Sequence, residues 1–438
     1  MHVVLGSHTV RSAVRAAAAV TTVALVGAAL AACSSAAQAQ KNGDTVALTM
    51  YNDNPQWKDG FVKAGQEIAK TTGYSLSPLS LPSTANYTQT VLSALPTNKS
   101  GDIIKWWSGK MLQGLAATGQ LQDLTKQWDD AVKAGEINDA LRPFYSYKGK
   151  VYAVPFVQSY WVTFYSKTAF EKAGISAPPT TWTDLEADMA KLKTAGYQFC
   201  TGQSEGWPSF VPFQMFLGAE SPSTYNELTQ NKAKFDDAAV KTAMTTWKKW
   251  IDSGWMSPAD TKTFDCPAAM KAGKIAMVPM GTWANGMFKT AGLTDSEYGA
   301  FLTPSMKDGQ APGLYLEGGA IAVPKNAPHK DGALKAIAAW MTAPVQKVWS
   351  GFIGDSSPNP NVTATDPVIQ SVAQQVKDDK PTILNRYYES FPPKLVQSSI
   401  STLGGFMVDP STLDQTISAL NSQAKTEWAA WESNPSIG

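Results

Sequence analysis

The chain has 438 residues and a formal net charge of +1, with 37 Lys and Arg against 36 Asp and Glu. Aromatic residues make up 10% and charged residues 17%, a composition typical of a folded protein rather than a disordered one. A chain of this length is too long for one ordinary hydrophobic core, so we expect two lobes. The near-zero net charge excludes a strong electrostatic field that would capture nucleic acid or other polyanions.

The first 32 residues have the order of a secretory signal: a cationic start with Arg11 and Arg15, an alanine-rich apolar run, and small residues before Cys33. The run Leu30-Ala31-Ala32-Cys33 resembles the lipobox of bacterial lipoproteins, which implies that Cys33 is lipidated and begins the mature protein. A transmembrane helix is the alternative, but the run is weakly hydrophobic and no positive stop-transfer cluster follows it. We therefore predict a lipid-anchored protein on the extracytoplasmic face of the bacterial cell membrane.

Removal of residues 1–32 takes away two arginines and no acid, so the formal charge falls from +1 to −1. His329 is then the only histidine, and Arg142 and Arg386 are the only arginines. Catalytic arrangements built on histidine would all depend on His329, and histidine-based metal sites are equally short of ligands. We predict neither a metal nor another cofactor.

Residues 33–43 are rich in Ser, Ala, Gln and Asn, which predicts a flexible tether. Order is expected from an apolar strand over residues 45–51, followed by the turn-forming run Asn52-Asp53-Asn54-Pro55 and a helix that ends at Gly73. A strand, a polar loop and a helix in this order open an α/β lobe.

The same alternation continues along the chain. Residues 275–278 and 320–323 have the pattern of strands, and Thr183 is expected to cap a helix that ends at Gly196. A final long helix is expected to begin at Asp409. The predicted fold class is therefore α/β.

Two cysteines remain besides Cys33, at positions 200 and 266. In an oxidising compartment an even pair favours a disulfide between Cys200 and Cys266. Two buried thiols are the alternative.

Three runs resemble the extracellular solute-binding proteins of carbohydrate ABC importers, the group that includes maltose-binding protein. They are residues 165–185, 273–283 and 318–341. The resemblance implies two α/β lobes, a ligand cleft between them and a hinge of several crossings. It also implies a monomer that captures a neutral mono- or oligosaccharide and delivers it to ABC permease subunits in the membrane, without catalysis.

By the same resemblance, lobe I takes residues 44–156 and 318–358, and lobe II takes residues 157–317 and 359–438. The hinge crossings are expected near residues 154–158, 316–319 and 356–361.

Sugar rings present C–H patches that stack on aromatic faces and hydroxyls that need paired donors and acceptors. Trp283 matches the stacking tryptophan of the family and follows a predicted strand, so we expect it in the cleft rather than in the core. Trp106 follows a short buried strand as a cleft aromatic does in the family, and neighbouring Trp107 is the alternative. Trp207 and Glu205 match a loop where the family places an aromatic residue and a glutamate.

Other candidates lie at the first strand end, at the expected hinge crossings and near the C-terminus. They are Asn52, Asp53, Asn54, Gln158, Tyr160, Trp161, Glu317, Gly318, Gly319, Tyr388 and Phe391. For the first three, a plain Asx turn is the alternative. The paired glycines would admit backbone amides to the ligand or permit hinge rotation.

Six tryptophans fall on helical faces and are expected in the core instead. They are Trp247, Trp250, Trp340, Trp349, Trp428 and Trp431. Two other functions stay open: a secreted glycan-active enzyme, since paired carboxylates hydrolyse glycosides, and a structural surface lipoprotein.

Overall fold

A computed structural model describes residues 45–81, 84–204 and 206–435. The predicted signal, the tether, Cys33 and Glu205 lie outside the described residues. No helix within the described part is long and apolar enough to cross a membrane.

The described strands form two main sheets and one hairpin. They are β1 (Val46–Asn52), β2 (Tyr74–Ser80), β3 (Ile103–Trp106), β4 (Ser146–Tyr147), β5 (Lys150–Val151), β6 (Ser159–Ser166), β7 (Gln198–Phe199), β8 (Ile275–Gly281), β9 (Tyr298–Phe301), β10 (Gly313–Glu317), β11 (Ala320–Ala322) and β12 (Thr382–Asn385).

Helices separate most of these strands. They are α1 (Lys58–Thr72), α2 (Thr84–Ala94), α3 (Gly109–Ala117), α4 (Thr125–Lys133), α5 (Lys167–Lys172), α6 (Trp182–Thr194), α7 (Phe210–Glu220), α8 (Pro222–Leu228), α9 (Ala238–Asp252), α10 (Cys266–Lys271), α11 (Asn285–Thr290), α12 (Lys330–Trp340), α13 (Ala343–Ile353), α14 (Pro367–Asp379), α15 (Tyr387–Ser390), α16 (Pro393–Val408) and α17 (Leu413–Ser433).

The first sheet has the order β11-β3-β1-β2, with β1 parallel to both β2 and β3 and β11 antiparallel to β3. The second sheet has the order β12-β10-β6-β8-β7, and β9 also pairs with β6. Two mixed sheets with interspersed helices confirm the predicted α/β class.

Local sequence explains the ends of several helices. Helix α1 ends at Gly73, whose left-handed conformation (φ 75°) lets its N–H bond the carbonyl of Ala69. The predicted cap at Thr183 is wrong by two residues, because the Thr181 side chain accepts the hydrogen bond from the N–H of Asp184.

The chain passes between the two sheets along adjacent antiparallel segments. Val154 and Ile321 exchange both backbone hydrogen bonds, at 3.0 and 2.9 Å, next to the first sheet. A few residues away, Ser159 pairs with Glu317 in the second sheet. Val154 and Glu317 lie within the predicted crossings at residues 154–158 and 316–319, and Ser159 and Ile321 lie just beyond them. The hinge and the lobe boundaries stay a prediction.

The core is dominated by large aromatic side chains. Trp247, Trp250, Trp340, Trp349 and Trp428 are all at most 5% exposed, which confirms their prediction as core residues, and Trp431 packs against the same core half-buried. The high tryptophan content therefore serves the packing of the fold to a large extent.

Cys200 and Cys266 form a disulfide with their Cα atoms 6.0 Å apart. Cys266 begins α10, and Cys200 follows β7 directly. The bond therefore connects the chain just after β7 to the first residue of α10.

Candidate functional site

The pairing of three strands in the second sheet brings together residues far apart in the chain. Strand β6 lies between β8 and β10, and its Trp161 pairs with Gly281 on one side and Tyr315 on the other. Trp283 follows the end of β8, and Glu317 is the last residue of β10. Trp161, Trp283 and Glu317 therefore meet at one end of these strands.

One carboxylate oxygen orients two of the indoles. The Nε1–H groups of Trp161 and Trp283 both donate to Oε2 of Glu317, at 3.0 and 2.8 Å. Gly281 makes room for this arrangement, since a Cβ there would lie 2.3 Å from Nε1 of Trp283. The Trp207 ring completes the group, with its centroid 6.4 Å from that of Trp161. We call Trp161, Trp207 and Trp283 the indole cluster.

A buried ion-pair network lies beside the indole cluster. Nη1 of Arg386 is 3.0 Å from Oε1 of Glu317, and its Nε and Nη2 donate to the two carboxylate oxygens of Glu389 at 2.7 and 2.8 Å. The guanidinium carbon also lies 5.7 Å from the centroid of the Trp161 ring. This Arg386 network places two carboxylates around one cation, and its bidentate geometry fixes the guanidinium plane.

Burial and neighbouring charges shift the pKa values of Glu389 and Arg386 in this network. Glu389 is fully buried, and this burial raises the pKa of its carboxyl group, while Arg386 opposes the rise and Glu317 adds to it. The two carboxylates raise the pKa of Arg386, although burial alone would lower it.

A second group of residues approaches from the first sheet. Nζ of Lys105 lies 3.0 Å from Oδ1 of Asp53 and 4.3 Å from the centroid of the Trp107 ring. Lys105 is only 5% exposed, so this pairing compensates for the burial of its charge. The Trp107 ring in turn contacts Tyr388, with centroids 5.7 Å apart.

Tyr388 connects the two groups, because its ring centroid also lies 5.4 Å from the guanidinium carbon of Arg386. The structure thus brings together eight of the sequence candidates or their immediate neighbours in the fold. They are Asp53, Trp107, Trp161, Trp207, Trp283, Glu317, Tyr388 and Tyr160, whose N–H donates to Oγ1 of Thr282, the residue before Trp283, at 3.0 Å.

Other candidates lie elsewhere. Trp106 is fully buried and donates from Nε1 to the carbonyl of Met111 at 3.1 Å, so the core holds Trp106 and only Trp107 faces the Lys105 side. Phe391 is also fully buried, packed against Tyr387 with centroids 4.6 Å apart. The assignment of Trp106 and Phe391 as ligand contacts is therefore corrected to a role in core packing.

The polar run after β1 forms a turn. The Asn52 side chain is fully buried and accepts from the N–H of Asn54, while the Asn54 side chain accepts from the N–H of Gln56. These are the Asx-turn bonds of the alternative interpretation, and they engage both side-chain oxygens. Of this run, Asp53 alone reaches the site, through Lys105.

The paired glycines pack against aromatic side chains. A Cβ on Gly318 would lie 2.0 Å from the hydroxyl oxygen of Tyr145, and one on Gly319 would lie 1.7 Å from the Phe156 ring. Gly319 also has a φ of 51°. Close packing at the crossing therefore requires glycine at these positions. Nearby, Nε2 of Gln158 donates to the hydroxyl of Tyr160 at 2.9 Å.

Lys105, Arg386 and Glu389 were not predicted from the sequence as site residues. Arg386 carried a usable signal, since it is one of two arginines after residue 32. Lys105 and Glu389 carried none, because nothing in their local sequence indicates burial. Across the described residues, no group of three or more His, Cys, Asp or Glu side chains is placed to hold a metal ion.

Comparison with solved structures shows the same fold. The bacterial solute receptor AcbH, described as having an exclusive preference for β-D-galactopyranose, superposes with a TM-score of 0.77 at 18% identity, over 87% of this chain and 99% of that one. A chitin oligosaccharide binding protein also superposes with a TM-score of 0.77, at 17% identity over 88% of this chain and 100% of that one. Both likenesses show a two-lobed α/β fold.

Sequence comparison gives the family. An uncharacterized ABC transporter extracellular-binding protein of Pyrococcus horikoshii is 26% identical over 318 residues, which is 70% of each chain. The model of the bacterial extracellular solute-binding proteins matches residues 63–376, which is most of the chain. The chain therefore belongs to the family of bacterial extracellular solute-binding proteins.

Proposed function

We propose that this protein binds a neutral mono- or oligosaccharide between its two lobes and delivers it to an ABC permease in the membrane. The observation that carries the proposal is the indole cluster, in which Glu317 orients two of the three rings. Oriented aromatic rings beside carboxylate, hydroxyl and amide groups suit both surfaces of a sugar.

The charges at the site support an uncharged ligand. Arg386 is engaged by Glu317 and Glu389, and Lys105 is engaged by Asp53. An anionic ligand would have to displace one of these carboxylates from a buried cation. A neutral polyhydroxylated ligand leaves both pairings in place.

The structural relatives support the same class of ligand, a sugar. AcbH is described as a receptor for β-D-galactopyranose, and the second neighbour as one for chitin oligosaccharides. Sugar recognition on this scaffold depends on the loops, so the relatives support a sugar without identifying which one.

A binding role also fits the carboxylates better than glycoside hydrolysis does. Both oxygens of Glu389 accept from Arg386, and the side chain is fully buried. Glu317 accepts from two indoles and pairs with Arg386. A glycosidase needs two carboxyl groups free to contact the scissile bond, and these two are already engaged.

The proposal includes membrane attachment through Cys33 after cleavage of residues 1–32, with residues 33–43 as a tether and the receptor acting as a monomer. It also keeps residues 44–156 with 318–358 as lobe I, and 157–317 with 359–438 as lobe II. Metabolic labelling of cells with palmitate should mark the wild-type protein, whereas Cys33→Ala should abolish the label; a labelled variant would contradict lipidation at Cys33.

The central test is substitution of one stacking candidate. Trp283→Ala should weaken binding of the best-bound sugar at least roughly tenfold, because truncation of a central aromatic anchor removes stacking area. Isothermal titration calorimetry would measure the affinity, first screening wild-type protein against mono- and oligosaccharides of glucose, galactose, xylose and N-acetylglucosamine.

Trp431→Ala is the matched control, since it removes a half-buried indole on α17 outside the cluster. Unchanged affinity in Trp283→Ala would remove this residue from the site. Failure of every sugar to bind the folded wild-type protein would overturn the proposed function.

A further inference from the structure

Phe264 is a large apolar side chain at the edge of the indole cluster. It is 43% exposed, and its ring centroid lies 5.7 Å from that of Trp207 and 6.4 Å from that of Trp283. Phe264 therefore extends the half-buried apolar surface of Trp207 and Trp283 into the solvent, and contiguous exposed apolar surface of this kind is typical of contacts with a ligand or partner.

The aromatic rings form a continuous series from the interior to the solvent. Trp161 is 6% exposed and lies 6.4 Å from both Trp207 and Trp283, which are half-buried. Phe264 contacts these last two rings and is the most exposed of the four. A single sugar ring on the inner indoles would leave this outer ring in water.

The segment that carries Phe264 is held in place. Phe264 lies in a short helical turn, Thr263–Asp265, directly before Cys266 and its disulfide to Cys200. The loop after Cys200 is hydrogen-bonded to this turn, since the Thr263 hydroxyl donates to the carbonyl of Gly202 at 3.5 Å, and to the chain before it, since the N–H of Gln203 donates to the carbonyl of Ala259 at 2.8 Å. An aromatic ring on a constrained segment loses little conformational entropy when a ligand binds.

We propose that Phe264 forms an outer subsite that stacks a second sugar ring, so that the ligand is an oligosaccharide of at least two rings. This inference rests on the proposed function and specifies its ligand class. In this arrangement Trp283 and Trp161 contact the inner sugar ring, and Phe264 and Trp207 contact the sugar ring nearer the solvent.

The test compares sugars that differ only in length. Calorimetric titrations would use glucose with maltose and maltotriose, N-acetylglucosamine with chitobiose and chitotriose, and xylose with xylobiose and xylotriose. In the series that binds, wild-type protein should favour the di- or trisaccharide over the monosaccharide. Phe264→Ala should weaken oligosaccharide binding roughly three- to tenfold and leave monosaccharide affinity unchanged.

Two further variants control for folding and for surface apolarity. Phe264→Tyr keeps the aromatic face and should retain oligosaccharide affinity. Val408→Ala trims a side chain that is 64% exposed at the end of α16 and should change no affinity. Melting temperatures of all three variants should match that of the wild type within a few degrees.

Failure of the outer subsite can be distinguished from failure of the proposed function. If a monosaccharide binds as tightly as its oligomers, and Phe264→Ala changes neither, the outer subsite is overturned while the proposed function stands. If Phe264→Ala impairs uptake by cells but no binding constant, the ring contacts the permease and the outer subsite is again overturned. If no sugar binds, the proposed function fails and the subsite fails with it.

Discussion

At the scale of single residues, Glu317 has an unusual number of roles. One of its oxygens accepts from two indoles that are 156 and 34 residues away in the chain, and the other lies 3.0 Å from Arg386. Orientation of the indole cluster and neutralisation of a buried cation therefore depend on the same carboxylate.

Glu317→Gln should weaken sugar binding and lower stability by about 1–3 kcal/mol, because an amide has one acceptor oxygen and would turn an N–H group toward Arg386. Calorimetry and urea denaturation would measure the two effects. Glu171→Gln, at an exposed position in α5, is the control and should change neither. Unaltered affinity in Glu317→Gln would contradict the orienting role.

Asp355 is the second informative carboxylate. It is 2% exposed and accepts from the hydroxyl of Ser159 at the first crossing and from the N–H of Ser356. Burial raises its pKa from 3.8 to about 7, assisted by the charge of Glu317 and opposed by its hydrogen bonds. The folded protein therefore binds the Asp355 proton more tightly than the unfolded chain does.

It follows that Asp355 stabilises the fold most below about pH 4 and progressively less as the pH rises toward 7. One pKa unit corresponds to about 1.4 kcal/mol, so the loss across this window is at most about 4 kcal/mol. Urea denaturation from pH 4 to pH 8 should show a shallower decline for Asp355→Asn than for wild type. Exposed Asp308→Asn is the control, and parallel curves for wild type and Asp355→Asn would refute the argument.

At the scale of elements, the crossing between β10 and β11 depends on close packing. A Cβ on Gly319 would lie 1.7 Å from the Phe156 ring, and the backbone there has a φ of 51°. Gly319→Ala should therefore lower the free energy of unfolding by at least about 2 kcal/mol, through overlap and strain together.

Gly351→Ala is the matched control, because Gly351 lies within α13 and a Cβ there would meet nothing within 4 Å. This substitution should be neutral or stabilise the helix by about 0.5–1 kcal/mol. Equal melting temperatures for the two variants would contradict the packing argument for the crossing.

The disulfide acts on a second pair of elements. It closes a loop between residues 66 positions apart, so the chain-entropy model gives a stabilisation of about 4 kcal/mol. Cys200→Ala combined with Cys266→Ala should lower the urea midpoint accordingly, and a reductant should lower only the wild-type midpoint. A wild-type midpoint insensitive to reductant, with two free thiols in the denatured protein, would contradict the bond.

At the scale of the whole molecule, the residues of the proposed site on the first sheet contact residues near the C-terminus. Trp107 contacts Tyr388, and Nζ of Lys110 lies 5.0 Å above the Trp428 ring. A ligand held by both halves would favour the closed arrangement of the lobes.

A bound sugar should therefore raise the free energy of unfolding by about 2.7 kcal/mol at a free concentration one hundred times its dissociation constant. Thermal denaturation would measure this rise, and small-angle X-ray scattering should show a smaller radius of gyration with sugar. A non-binding stereoisomer at the same concentration is the control. An unchanged radius upon saturation would contradict closure.

Much of this protein was predictable from sequence because the relevant signals are local. Alternating apolar strands and helices predicted the α/β class, the glycine at position 73 marked a helix end, and helical spacing placed Trp247 and Trp250 in the core. The position of Trp283 after a strand predicted an indole at a strand end, where the structure has it.

The tertiary structure alone decided which side chains meet. Trp106 and Trp107 are adjacent in sequence, yet the first is held in the core and the second faces Lys105. Arg386 reaches Glu317 because β12 pairs with β10, a contact that no local pattern specifies. The sequence by itself determined the strands and helices and the aromatic and charged residues that they carry. Pairing between distant strands depends on the packing of the whole sheet, so only the tertiary structure decided which of these residues form the site.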